Sequence, residues 1–208
     1  MSDKLLTKEI AEQLVQQADQ ELCLISQLLY NAKIRDGTEF DEIENDAAQV
    51  ISDYCVNINH SLRLDIKFIT TEAAKHLSKI HELGLKLEVI TDDAAQHLSE
   101  VHELYLEELT EVSDAALEFL SETHDISLGL ESISESQAEI FSRSKKCKNL
   151  GVFCKEISEV AAEYLSLFQG DSLYLPIETI SAPAAKSLSK FKGKINGMDP
   201  KEFVKSLK

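Results

Sequence analysis

Residues 90–109 read ITDDAAQHLSEVHELYLEEL, and residues 112–130 read VSDAALEFLSETHDISLGL. The two stretches place apolar, small and polar residues in the same order. From residue 43 onward an apolar anchor, in most copies followed by Ser or Thr, recurs at spacings of 21 to 26 residues. A period of this size is typical of repeat architectures. The anchors are Ile43, Ile69, Ile90, Val112, Ile133, Ile157 and Ile180.

The half of each unit that follows the anchor has the pattern of a short helix. In the unit anchored at Ile90, Thr91 is suited to N-cap a helix, and the acidic residues behind it favour the positive helix end. Small residues four and five positions after the anchor, and Leu98 eight positions after it, form one narrow apolar face. The ninth position after every anchor is Ser. The sequence therefore predicts one short helix per unit.

The half that precedes each anchor alternates with a period of two, as in Leu83, Leu85 and Leu87. This alternation predicts a short strand with one buried face. A strand–helix unit of this size cannot bury its own apolar face, so neighbouring units must stack and pair their strands. The predicted fold is α/β: a repeat solenoid of about seven stacked strand–helix units with a parallel sheet.

The stretch LYLEELTEVSDAALEFLS, residues 104–121, resembles the short leucine-rich repeats of some bacterial proteins, which read LxLxxLxxLSxxAAxxLS. The resemblance covers roughly residues 43–190. It implies a leucine-rich-repeat-like solenoid that serves as a protein-interaction scaffold and has no catalytic residues. The commonest leucine-rich motif has an asparagine near the positions of Leu109 and Leu130, so the tight horseshoe curvature of that motif is not implied.

The two ends depart from the repeat. Residues 1–42 are predicted to form an N-terminal helical cap and a connector, followed by repeats over 43–190. Residues 191–208 are predicted to form a degenerate last unit and a C-terminal cap helix, which begins with Asp199 as N-cap and Pro200 as first residue. The apolar positions at helical spacing in the N-terminal cap are Ile10, Leu14, Ala18, Leu22, Ile25 and Leu29.

The four cysteines, Cys23, Cys55, Cys147 and Cys154, are scattered without the spacing of a zinc site. We expect free thiols in the core, which favours a reducing compartment. The sequence has no apolar run of membrane-spanning length, and its first residues lack a secretory signal. These features predict a cytoplasmic protein.

No nucleophile elbow, phosphate-binding loop, dinucleotide fingerprint or HExxH motif occurs in the sequence. We therefore expect no enzyme activity, no cofactor and no catalytic residue. His81, His102 and His124 fall at the same repeat position and are placed to stack as a ladder of imidazoles. Metal ligands must converge, whereas ladder residues lie along a line, so duplication of the unit explains the histidines and no metal site is expected.

The residues between the buried strand positions face the other side of the sheet and form a candidate recognition surface. Aromatic side chains dominate the binding energy of many interfaces, and aromatic residues occur among these positions. The alternative is that these residues only cover a solvated sheet face. The candidate partner-binding residues are Arg63, Lys86, Tyr105, Glu107, Phe153 and Tyr174.

The formal net charge is −16, and the charges are segregated along the chain. Residues 87–142 contain 15 acidic residues and no Lys or Arg, whereas residues 143–208 have a net charge of +5. This balance argues against nucleic acid or an anionic membrane as partner. The simpler explanation of the acidic surface is that it keeps the protein soluble, and the alternative is that it binds a cationic protein partner.

The predicted function is that of a non-catalytic protein-interaction scaffold. A first alternative is a structural repeat protein that self-associates weakly through its acidic middle and basic C-terminal end. A second alternative is an acidic protein that binds cations.

Overall fold

Short strands and helices alternate along the chain in the computed structural model, which describes residues 5–21, 24–36, 39–177 and 179–207. The side chains of residues 35 and 36 are outside this description. The predicted apolar helix position Leu22, the predicted buried thiol Cys23 and part of the predicted connector also lie outside the described residues.

The described part of the chain contains ten helices, most of them only two turns long. They are α1 (Lys8–Glu21), α2 (Ile25–Asp36), α3 (Asn45–Ile58), α4 (Thr71–Leu77), α5 (Asp92–Leu98), α6 (Asp114–Leu120), α7 (Glu135–Arg143), α8 (Glu159–Ser166), α9 (Ala182–Leu188) and α10 (Pro200–Ser206).

The same residues contain eleven strands of two to four residues. They are β1 (Leu5–Leu6), β2 (Glu42–Ile43), β3 (Leu62–Leu64), β4 (Glu82–Leu85), β5 (Glu103–Leu106), β6 (Asp125–Leu128), β7 (Ser132–Ile133), β8 (Asn149–Val152), β9 (Glu156–Ile157), β10 (Ser172–Tyr174) and β11 (Lys194–Ile195).

Within the described chain, seven of these strands form one parallel sheet in the order β3-β4-β5-β6-β8-β10-β11. This spatial order is also their order along the chain. Residues of successive strands lie side by side, as Leu83 does with Leu104 and Leu104 with Ile126. β1 pairs with β2 and β7 with β9 in two small parallel sheets. The prediction of an α/β fold with a parallel sheet is confirmed.

The predicted N-caps of the six helices α4 to α9 are confirmed. Each cap hydroxyl accepts a hydrogen bond from the backbone N–H three residues later, which satisfies one of the free donors at the helix start. The capping residues are Thr70, Thr91, Ser113, Ser134, Ser158 and Ser181.

The serine nine positions after each anchor acts at the other end of the helix. In α5 the Ser99 hydroxyl donates to the carbonyl of Gln96 at 2.7 Å. The corresponding serines of the later helices likewise donate to the carbonyl three residues earlier. Ser52 differs, because its hydroxyl donates at 2.6 Å to the His76 carbonyl of the neighbouring helix.

A single hydrophobic core lies between the helices and one face of the sheet. Ala94, Ala95 and Leu98 of α5 are fully buried, and so is Leu83 of β4. Each of the helices α3 to α9 packs against the next one in the chain. The paired alanines allow this close packing because they add almost no width to the helix.

The terminal helices lie against the two edges of this arrangement. α1 packs on α3, and α2 packs on the edge strand β3, where the Arg63 N–H donates to the Ser26 hydroxyl at 2.9 Å. This bond occupies a donor that an edge strand otherwise exposes. α10 contacts α9 and β11 at the opposite edge. As predicted, Asp199 caps α10 and Pro200 follows it.

The described cysteines are buried free thiols, as predicted. Burial raises the pKa of Cys55 to about 11 and that of Cys147 to about 12, and it also raises the pKa of Cys154. These thiols therefore pack as small apolar groups. Among the described helices, none combines the length and the apolar character that crossing a membrane requires.

Truncation of Leu98 or Leu85 tests the shared core. Both side chains are almost completely buried, so Leu98→Ala and Leu85→Ala should each lower the free energy of unfolding by about 2–5 kcal/mol. Gln96→Ala, on the exposed side of α5, should change it by less than about 0.5 kcal/mol. Chemical denaturation measures all three variants. Losses under about 0.5 kcal/mol for both leucines would contradict the assigned core.

Candidate functional site

One row of residues crosses six strands on the sheet face opposite the core, which we name the open face. Each member pairs in register with the next, so residues far apart in sequence become neighbours. Because side chains alternate across a strand, these residues point away from the buried leucines beside them. The row is Arg63, Gly84, Tyr105, Ser127, Gly151 and Tyr174.

Arg63 and Tyr105 are in contact across Gly84. The Arg63 guanidinium carbon lies 4.9 Å from the centre of the Tyr105 ring, within the range of a cation–π interaction. The Tyr105 hydroxyl donates to Glu103 Oε2 at 3.1 Å. Burial and this carboxylate together raise the pKa of Tyr105 to about 12, so the phenol stays neutral. The hydrogen bond to Glu103 and the contact with Arg63 hold the ring in place.

Lys86 and Glu107 join Arg63 and Tyr105 around a shallow depression of about 70 Å³. Lys86 Nζ lies 3.2 Å from Asp65 Oδ2, and Lys33 Nζ of α2 lies 3.1 Å from the same oxygen. Partial burial opposes ionisation of Asp65, but the hydrogen bonds from the two lysines outweigh it and lower the pKa of this carboxyl. Of the six predicted site residues, the structure thus brings four together: Arg63, Lys86, Tyr105 and Glu107.

The other two predicted residues, Phe153 and Tyr174, form a separate aromatic pair. Their ring centres are 5.3 Å apart and their planes are inclined by 52°. Phe153 is 36% exposed and Tyr174 is 47% exposed, so solvent reaches both rings. A groove of about 240 Å³ runs from Tyr174 to Tyr105 over Ser127 and Gly151.

The three histidines before β4, β5 and β6 stack, as the ladder prediction requires. The His81 and His102 ring centres are 4.4 Å apart, those of His102 and His124 are 4.3 Å apart, and each pair of planes is inclined by 19°.

The sequence interpretation missed the acidic residue that follows each of these histidines. Glu82, Glu103 and Asp125 pair in register and place three carboxylates side by side at the starts of the strands. The dipeptides His-Glu, His-Glu and His-Asp, at residues 81–82, 102–103 and 124–125, were the signal in the sequence.

Comparison of the sequence with protein-family models finds no match, and comparison with curated proteins finds none either. The candidate site is therefore defined by the geometry of this chain alone. The candidate site has three parts. The first is the cluster of Arg63, Lys86, Tyr105 and Glu107, the second is the aromatic pair Phe153–Tyr174, and the third is the histidine stack with the acidic residues that follow it.

Two glycines of the open face should differ sharply on substitution. A Cβ on Gly129 would overlap the Glu107 carbonyl oxygen, whereas a Cβ on Gly84 meets only the flexible Arg63 side chain at 3.1 Å. Gly129→Ala should therefore cost about 1–3 kcal/mol or more, and Gly84→Ala should stay within about 0.5 kcal/mol. Thermal or chemical unfolding of both variants checks this. Equal losses of stability in the two variants would contradict the close approach of Gly129 to the Glu107 backbone.

Proposed function

We propose that this chain is a non-catalytic protein-interaction scaffold of leucine-rich-repeat type. In this proposal its strand–helix units stack as a solenoid, with α1 and α2 as one cap and α10 as the other. The agreement between strand order and chain order supports the stacking, and so does the packing of each helix on the next. The core and the helices cover the opposite face of the sheet, so the open face is the side of the sheet that we propose for the partner.

The observation that carries the proposal is the exposed aromatic pair Phe153–Tyr174 at one end of the groove. Aromatic anchors contribute much of the binding energy in protein interfaces because they bury large areas with few torsions. Tyr105, held by Glu103 and Arg63, borders the other end of the groove. A partner side chain inserted between Tyr105 and Tyr174 would be enclosed by two rings over a floor of small residues.

The acidic belt, residues 87–142, indicates a cationic partner. Within the described residues, ion pairs with lysine or arginine reach only a few of the 15 acidic residues of the belt: Lys67 pairs with Glu88 at 2.8 Å, and Arg143 pairs with Glu118 at 3.4 Å and with Glu139 at 3.8 Å. Lys146 and Glu122 form another such pair at 3.3 Å. Most of the belt therefore keeps its negative potential, which attracts cations during diffusional encounter.

Self-association is the second candidate function. The C-terminal stretch 143–208 has a net charge of +5 and could meet the acidic belt of another copy head to tail. The charge segregation favours this candidate, whereas the aromatic groove favours a separate partner.

The proposed location is the cytoplasm. Free, buried thiols at Cys55, Cys147 and Cys154 are consistent with a reducing compartment, where such thiols persist. Fractionation of the native cell followed by immunodetection tests this part of the proposal.

Tyrosine truncation on the open face tests the interaction site. Tyr105→Ala and Tyr174→Ala should preserve the fold, and each should weaken an identified partner by about 2 kcal/mol or more if its ring is an anchor. Val160→Ala, on the exposed side of α8, should bind like the parent protein. Partners captured from the native cell by the parent chain are first purified, and calorimetry then measures each affinity. Parent-like binding by both tyrosine variants would move the interface to the helices or the ends.

Ionic strength separates the separate-partner and self-association candidates. Screening shortens the reach of the acidic belt to about 8 Å at physiological salt, so association through it should weaken steeply with added salt, mainly through a slower on-rate. Light scattering and binding kinetics at low and high salt measure both effects. An oligomer that dissociates in salt favours self-association, and a monomer at all salts favours a separate partner. An affinity independent of salt would leave the belt with a solubility role only.

A further inference from the structure

We propose that His102, His124 and Asp125 bind one divalent transition-metal ion. One ligand atom from each of these three residues lies within 4.8 Å of the other two. A second triad, His81, His102 and Glu103, satisfies the same limit and shares His102. Because a neutral imidazole has only one nitrogen with a free lone pair, His102 binds one ion at a time, and the two overlapping triads offer a single site.

The ligand atoms need only small side-chain rotations to close around an ion. Bonds of about 2.1 Å in tetrahedral geometry place ligand atoms about 3.4 Å apart. The side chains of His102 and His124 are exposed and that of Asp125 is half-buried, so their torsions can adjust without disturbing the core. Strand pairing already fixes the backbones of these neighbouring units.

Hydrogen bonds orient the ligands in the way that metal sites use. His124 Nδ1 lies 2.8 Å from Asp125 Oδ1, and because a carboxylate oxygen only accepts, the imidazole donates through Nδ1. An ion that takes the place of this proton is bound by Nδ1 and by the carboxylate, and the imidazole then carries its proton on Nε2. Asn149 Nδ2 donates to the same Asp125 oxygen at 2.7 Å, which holds the carboxylate in its orientation beside His124. Such outer hydrogen bonds typically strengthen metal binding about 10–100-fold.

The charges around the triad favour a cation at its His124 end. Asp125 pairs in register with Glu103, and Glu103 with Glu82, so three carboxylates share one edge of the sheet. Arg63 lies 4.0 Å from Glu82 and partly neutralises the His81 end. An ion held by His102, His124 and Asp125 is therefore farther from Arg63 than one held by His81.

The chemistry of the ligands selects the class of metal. Two imidazoles and one carboxylate suit Zn²⁺, Ni²⁺ or Cu²⁺, whereas Mg²⁺ and Ca²⁺ prefer oxygen ligands alone. The sequence predicted no metal site because the histidines lie along a line. The carboxylate beside each imidazole supplies the lateral ligand that the linear arrangement of histidines lacks.

Calorimetric titration of the full chain with ZnCl₂ tests the proposal, with excess MgCl₂ present to occupy purely carboxylate sites. We expect saturation at about one ion per chain. His102→Ala and His124→Ala should each weaken binding at least about tenfold, and Asn149→Ala should weaken it by about tenfold. His97→Ala, which removes a histidine from α5 outside the ladder, should bind Zn²⁺ like the parent chain.

His81→Ala distinguishes the two overlapping triads. If the ion lies at His124, His81→Ala should retain the parent affinity, and circular dichroism should show that every variant is folded. Loss of binding in His81→Ala with parent-like binding in His124→Ala would overturn the assignment. Parent-like affinity in His102→Ala, or Zn²⁺ binding abolished by excess MgCl₂, would also overturn it, because the histidines would then play no part.

Discussion

The in-register pairing of parallel strands is the constraint on which the rest of this structure depends. Leu83, Leu104 and Ile126 occupy the same place in successive strands and lie one rung apart, about 4.8 Å. Register turns every position of the sequence period into a row of neighbours. Apolar positions become the core, aromatic and small positions become the open face, and histidine positions become a stack. Core and candidate sites therefore share one cause.

The same register brings the side chains of each row close together, because neighbouring strands lie about 4.8 Å apart. Gly84 leaves the space in which Arg63 reaches the Tyr105 ring, and Gly151 separates Ser127 from Tyr174. In this row one or two small residues therefore separate each large residue from the next. The groove between the two tyrosines follows from this arrangement, since small residues form its floor.

Period and chemistry were sufficient to predict the α/β class, the helix caps and the histidine stack, because each depends on local pattern and on one pairing rule. The pairing of Phe153 with Tyr174 was not predictable, since Tyr174 has Gly151 as its register partner and the contact depends on side-chain inclination. The two lysines on Asp65 were missed for another reason: Lys33 arrives on α2, whose position against β3 is set by tertiary packing.

The groove and the proposed ion site share residues, so their occupants must influence each other. Asp125 and Asn149 line the groove between Tyr105 and Tyr174, and both also belong to the hydrogen-bonded group around His124. An ion at this place would neutralise part of the negative charge that attracts a cationic partner, and the coupling would be reciprocal. A partner that inserts a cationic group beside Asp125 would compete with the ion, whereas one that supplies a carboxylate or imidazole would complete its coordination. The charge of the partner thus determines whether metal and protein binding oppose or reinforce each other.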